Sequence, residues 1–198
     1  MPRRVAAALA AVTAALVLSS CGSPAADGHP DHRPTDKPVI TGQPAGYNAD
    51  DVAFASNMIP HHKQALQLSA LVPDRTTNQD VIALAKRISA AQQPEIETMN
   101  VLLVQWNENP DTNSGHGGHD TKMAGMVDAA TMTKLGSLDG TEFEKLWLES
   151  MISHHQGAIE MAKAEIANGE NVDAITLAKN IVNTQEAEIG QMKQLLGG

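Results

Sequence analysis

The sequence predicts an all-α protein, a four-helix bundle built from two duplicated helical hairpins. Three observations carry that prediction. Long stretches rich in Ala, Leu, Glu, Gln and Lys favour helix, and no segment sustains the alternation of β-branched residues that a strand would need. The chain is 42% hydrophobic but only 3% aromatic, which points to an aliphatic, Met-filled core. The unit Met-Ile-x-His-His occurs twice, in "SNMIPHHKQAL" and in "ESMISHHQGAI".

The elements follow in order. Arg3 and Arg4 precede an apolar run, Val5 to Leu18, that is short for a membrane span. The run ends in "LSSC", which resembles the lipobox of bacterial lipoproteins. Residues 1–20 thus read as a lipoprotein signal peptide, and Cys21 as the acylated first residue of a protein anchored in the bacterial cell membrane on its extracytoplasmic face. Cys21 is also the only cysteine, so disulfides and thiolate metal ligands are excluded from the rest of the chain. Residues 21–47 are rich in Pro, Gly, Asp and Thr and read as a disordered tether.

The domain proper occupies 48–198. A first helix is expected from an Asp50 N-cap to Val72, where "VPD" should end it. A second runs from about Asn78 to Asn107, across Pro94. The connection "NPDTNSGHGGHDTKMAG" leads to a short helix near 128–135. A third long helix covers about Thr141 to Asn168 with Gly169 as its cap, and a fourth covers Val172 to Leu196. The hairpins are therefore about 50–107 and 141–196.

The duplication extends beyond the histidines. His61 and His154 differ by 93, and the same offset relates Met58 to Met151 and His62 to His155. It also relates Gln92 to Gln185, Glu95 to Glu188 and Met99 to Met192, without a gap. A duplicated two-helix unit packs most simply as a pseudo-two-fold bundle.

At helical spacing, Phe54, Met58, His61, Ala65 and Leu68 form one stripe, with Val52, Ala55, Ile59, His62 and Leu66 beside it. In the second copy the stripes are Trp147, Met151, His154, Ala158, Met161 and Leu148, Ile152, His155, Ile159, Ala162, Ile166. Both histidines of each pair thus lie in a wide apolar face. An imidazole buried without a partner costs about 1–3 kcal/mol, so four of them need partners. Gln92, Glu95 and Met99, and likewise Gln185, Glu188 and Met192, share a face of the neighbouring helix and can supply them.

Two readings compete for these residues. Core histidines hydrogen-bonded to Glu or Gln, with methionine as filler, are a packing device. Alternatively, the doubled Met/His set is a metal site. Thioether with imidazole suits copper, Cu(I) or Cu(II), while zinc is content with His and carboxylate. The connection adds weaker candidates, His116, His119, Met123 and Met126, spaced like a chelating flap. The net charge of −9 argues against a nucleic-acid partner.

The segments "MIPHHKQAL…LAKRISAAQQPEIETM" and "GTEFEKLWLESMISHHQGAIEMAKAEI…LAKNIVNTQEAEIGQM" resemble the family called "domain of unknown function 305". The resemblance runs from about residue 48 to the end. It implies a ferritin-like four-helix bundle and an exported protein, and some relatives are linked to copper binding and tolerance. Its motif residues fall here on Met58, His61, His62, Gln92, Glu95 and Met99 and on their second-half counterparts. Relatives often carry Trp-Leu soon after Glu-Ile-x-x-Met, where this chain has Leu102-Leu103 and Leu195-Leu196, a difference that touches packing.

The leading expectation is an extracytoplasmic, lipid-anchored copper-binding protein for buffering, tolerance or transfer, with no enzymatic activity. The alternatives are a structural or adaptor lipoprotein with a packing-only histidine network and a ferritin-like di-iron oxidase. The oxidase ranks last, because residues three before each histidine are Met58, Ile59, Met151 and Ile152, so the Glu-x-x-His of that class is missing.

Overall fold

A computed structural model describes residues 46–108 and 123–197, all within one compact unit. Five helices are found among them: α1 (Ala49–Arg75), α2 (Gln79–Gln105), α3 (Ala129–Leu135), α4 (Gly140–Asn168) and α5 (Val172–Leu195). Strands are absent among the described residues. The expected signal peptide, Cys21, nearly all of the tether, and His116 and His119 lie outside them.

The expected architecture is present. α1 packs on α2 and α4 on α5 as hairpins, and the hairpins meet mainly through α1 against α4, with a lesser contact of α2 on α5. α1 and α4 run antiparallel. Asn48 Nδ2 donates to the Asn168 carbonyl at one end (2.8 Å), and Trp147 Nε1 donates to the Leu68 carbonyl further along (2.9 Å). The short α3 rests on α4 and buries Leu135 beside Phe143 and Trp147.

Three helix ends differ from expectation. α1 is capped by Asn48, whose side chain accepts from the N–H of Asp50 and Asp51 while Asp51 accepts from the N–H of Asn48. This reciprocal box satisfies more end donors than an Asp50 cap would. α1 also does not stop at Val72. It continues to Arg75 with Pro73 in its last turn, and the Thr76 N–H closes on the Val72 carbonyl. α2 ends at Gln105, and Asn107 leaves it at φ 60, a left-handed conformation that asparagine tolerates. Gly169 is the cap of α4 but is extended (φ −65). Its glycine is explained by room: an added Cβ would lie 2.8 Å from the Glu165 carbonyl oxygen.

The core falls into two apolar clusters. One holds Leu68, Leu84, Trp147, Met151 and Met192 and the other Phe54, Met58, Met99, Leu103 and Trp106. The inner stripes carry the burial, with Phe54, Met58, Ala65, Leu68, Trp147, Met151 and Ala158 all buried and Met161 half-buried. The flanking stripes are less complete, since Val52, Leu66, Ile152 and Ile166 are only half-buried. No helix among the described residues is long and apolar enough to cross a membrane.

Candidate metal centre

His61, His62, His154 and His155 are all 0% exposed, as are Met58, Met99, Met151 and Met192. The first two methionines belong to one apolar cluster and the last two to the other. The histidines form the polar layer where α1 crosses α4. Position 61 of one repeat and position 154 of the other are equivalent by the offset of 93, and here they meet: His154 Nε2 donates to the His61 carbonyl at 3.0 Å. Their ring centroids are 3.8 Å apart, and those of His154 and His155 are 6.3 Å apart. The pseudo-two-fold axis therefore passes through this pair.

Each Nε2 is held by an oxygen. His62 Nε2 lies 2.8 Å from Glu95 Oε2 and His155 Nε2 lies 2.7 Å from Glu188 Oε2, the same pairing in both hairpins. His61 Nε2 donates to the Ala124 carbonyl (3.1 Å). All four Nδ1 atoms are buried without a hydrogen-bond partner, and so are both amide atoms of Gln92 and of Gln185. Since Nε2 of His61 and His154 faces a carbonyl acceptor, the proton sits there and Nδ1 carries the lone pair. Burial, assisted by the neighbouring imidazoles, pushes the His61 pKa down to about 4 and that of His154 to about 2. Both rings are neutral at pH 7, the form in which imidazole binds metal.

Beside this layer the two-fold is broken in a way that the sequence pattern did not reveal. By symmetry His61 would donate to the His154 carbonyl; instead the segment 123–127 inserts beside α4. Gln64 clamps that segment, donating from Nε2 to the Val127 carbonyl and accepting from the Val127 N–H, both at 2.8 Å. Gly157 makes the room, since a Cβ there would lie 1.8 Å from the Ala124 carbonyl oxygen. Gly125, at φ +80, also passes too close to the Ser153 carbonyl of α4 to carry a Cβ. Met123 and Met126, two of the weaker candidates, are half-buried in this segment. Gln64 and Gly157 are repeat-equivalent positions occupied by very different residues, which is the signal that could have found them.

Among the described residues, no three His, Cys, Asp or Glu side chains converge as a metal-holding group. What the core does hold is four buried imidazole Nδ1 atoms without hydrogen-bond partners and, buried with them, the thioethers of Met58, Met99, Met151 and Met192.

The family's sequence profile matches residues 51–196. The chain belongs to the DUF305 family. Its fold is shared with a Streptomyces coelicolor DUF305 protein assigned as secreted (34% identity, 75% of this chain and 91% of the other, TM-score 0.66). A DUF305 fragment from Deinococcus radiodurans is similar (32%, 76% and 97%, TM-score 0.68). So is CopM in its Cu(II)-bound form (29%, 73% and 94%, TM-score 0.63). CopM is also known in Cu(I)-bound and silver-bound forms. An uncharacterized mimivirus protein, L153, is 39% identical over 54 residues, which span 27% of this chain and 36% of that relative.

Proposed function

We propose that this chain is a lipid-anchored copper-binding protein that holds the metal outside the cytoplasm for buffering, tolerance or transfer. The observation that carries the reading is the common orientation of the four buried imidazoles, each Nε2 committed to an oxygen and each Nδ1 left in the core without a partner. Ligating histidines commonly donate their other N–H to a carboxylate or carbonyl in this way. Imidazole nitrogen with the thioethers of Met58, Met99, Met151 and Met192 suits copper, and thioether favours Cu(I). Zinc is the alternative that imidazole and carboxylate alone would suit, and it would leave the thioethers unused. The copper-bound forms of a relative that matches most of the chain support the same reading. In the competing reading the His62–Glu95 and His155–Glu188 pairs are packing devices of a structural lipoprotein.

Competitive copper titration of the full-length chain against a chelator separates the two. Copper binding should weaken about tenfold or more in His62→Ala and in His155→Ala, and less in His116→Ala and His119→Ala, which lie on the connection. Core variants that bind like the parent while the connection variants fail would move the site to the connection and leave the histidine layer as packing. For the anchor, mass spectrometry of the membrane fraction should find Cys21 acylated, and Cys21→Ala should release the protein.

A further inference from the structure

The four imidazoles are fully buried, so an ion that is to reach them needs a way in. Three of them are held by helices: His62 and His155 face Glu95 of α2 and Glu188 of α5, and His154 faces the His61 carbonyl of α1. His61 alone of the four faces a residue outside any helix, through the Ala124 carbonyl. Ala124 is itself exposed, so one residue of irregular chain separates a buried ring from solvent there. It sits at the tip of a turn, closed by the Met126 N–H on the Met123 carbonyl at 3.1 Å. Gly125 has φ 80, as the third position of a type II turn requires.

The turn is seated as a part that can leave. Its polar attachments are the His61 ring on the Ala124 carbonyl (3.1 Å) and the Gln64 amide on the two backbone groups of Val127 (2.8 Å each). Val127 packs on the apolar core and marks the hinge. His61 would not be orphaned by the departure. A Cβ on Gly125 would lie 3.0 Å from the His154 carbonyl oxygen, so the turn stands against the very acceptor that the pseudo-two-fold assigns to His61. With the turn withdrawn, His61 Nε2 can donate to that carbonyl, as His154 Nε2 already donates to the His61 carbonyl at 3.0 Å. Neither arrangement then carries the cost of an unpaired buried donor. A glycine inside a helix is unfavourable, yet Gly157 stands within α4, and its repeat counterpart is Gln64. The same position thus serves the turn in both repeats, as recess in one and clamp in the other.

We propose that the turn 123–126 is a gate over the histidine layer, hinged at Val127, which uncovers His61 when it withdraws and admits a soft monovalent ion of the Cu(I) class. In naming the ion this rests on the copper reading; the gating itself does not. The turn is seated both before and after capture, so loosening it speeds entry and release alike and leaves the equilibrium affinity unchanged.

The test has two arms. In the first, the metal-free full-length chain is treated with diethyl pyrocarbonate at pH 7, and each histidine is followed by peptide mass spectrometry. Gln64→Ala and Gly157→Ala loosen the seat from opposite sides. In both, His61 should be modified about tenfold faster than in the parent, while His155, turned to Glu188, keeps the parent rate. Unchanged His61 rates in both variants overturn the gate. So does an equal rise at His61, His62, His154 and His155, the mark of global unfolding. Should either variant prove unfolded by circular dichroism, the other decides. The parent offers a check without any variant: the Val127 amide should exchange well before the amides of α1 and α4, and exchange together with them overturns the gate. In the second arm, uptake of Ag⁺, a soluble stand-in for Cu(I), is followed by stopped-flow tryptophan fluorescence. It should be about tenfold faster in both variants at unchanged affinity, and the parent's rate in both would overturn the gate as the path of the ion. A parent that binds neither Ag⁺ nor copper at equilibrium overturns the copper reading instead, and the first arm then decides the gate.

Discussion

A buried residue that must stay neutral ties the stability of this protein to pH, and two kinds do so with opposite sign. His61 and His154 have folded pKa values below the ordinary 6.5, so the unfolded chain binds more protons and stability is lost as pH falls. For His61 the loss runs from about 6.5 down to about 4; for His154 it continues toward 2. Glu165 has its folded pKa raised from 4.5 to about 8, so the folded chain binds more protons there. Its contribution is full below 4.5 and is lost as pH rises to about 8. Between about 4.5 and 6.5 the two effects oppose each other. Urea unfolding of metal-free protein across this range should show stability falling on the acid side in the parent. His154→Ala should flatten that limb. Glu165→Gln should remove the decline toward pH 8, and a parent and Glu165→Gln that decline alike would refute the assignment.

At the scale of elements, the segment 123–127 is held by few contacts, and they can be cut one at a time. Gln64→Ala removes two hydrogen bonds to Val127, at a cost of about 1–3 kcal/mol. Amide hydrogen exchange should accelerate at 123–127 while α1, α2, α4 and α5 stay protected. Gly157→Ala tests the same seat in the other direction. Alanine is the better helix former by about 1 kcal/mol, yet its Cβ meets the Ala124 backbone, so the variant should lose stability; a gain would mean that the segment is not seated on α4. The helices themselves were legible because apolar spacing, Asn and Asp caps and the offset of 93 all agree. The ends of α1 were not. Proline is at home only in a first turn and so reads as a stop, yet the Thr76 N–H closes on the Val72 carbonyl and carries the helix past Pro73; and Asn48, whose side chain accepts two N–H groups, caps the other end with the Asp51 carboxylate returning the bond. The histidine layer was legible for a related reason: His62 with Glu95 and His155 with Glu188 stand 33 residues apart in both copies. Glu165 and Gln64 read as ordinary surface residues of amphipathic helices. Their roles depend on what the opposite hairpin or the connection brings against them, which no local pattern contains. Ile152 shows the reverse, since its stripe reads as core but its side chain stays half-buried. Ile152→Asp should therefore cost less than the same change at the fully buried Met151, as denaturant midpoints would show.

The whole molecule behaves as a dimer written into one chain. Equivalent residues His61 and His154 face each other across the pseudo-axis, and α1 meets α4 as each would meet its own copy. The second hairpin, 139–197, carries a full set of interface residues: Trp147, Met151, His154, Ala158 and the small Gly157, all buried in the intact chain. Expressed alone, it would expose this stripe to water, and a lone two-helix unit buries too little to be stable. It should instead associate as a helical homodimer about His154. One feature of the intact bundle opposes this. In a symmetric dimer of the second hairpin, Glu165 would face the partner's Phe143 and Glu144 positions rather than Asp50 and Asp51, leaving a carboxyl in an apolar end. Glu165→Val, the side chain that the first repeat carries at Val72, should therefore tighten the dimer. Sedimentation equilibrium combined with circular dichroism measures both effects. A hairpin that stays monomeric and unfolded with either residue at 165 would show that the asymmetric elements, the 123–127 segment and the acidic end, are required for folding and not merely added to a symmetric core.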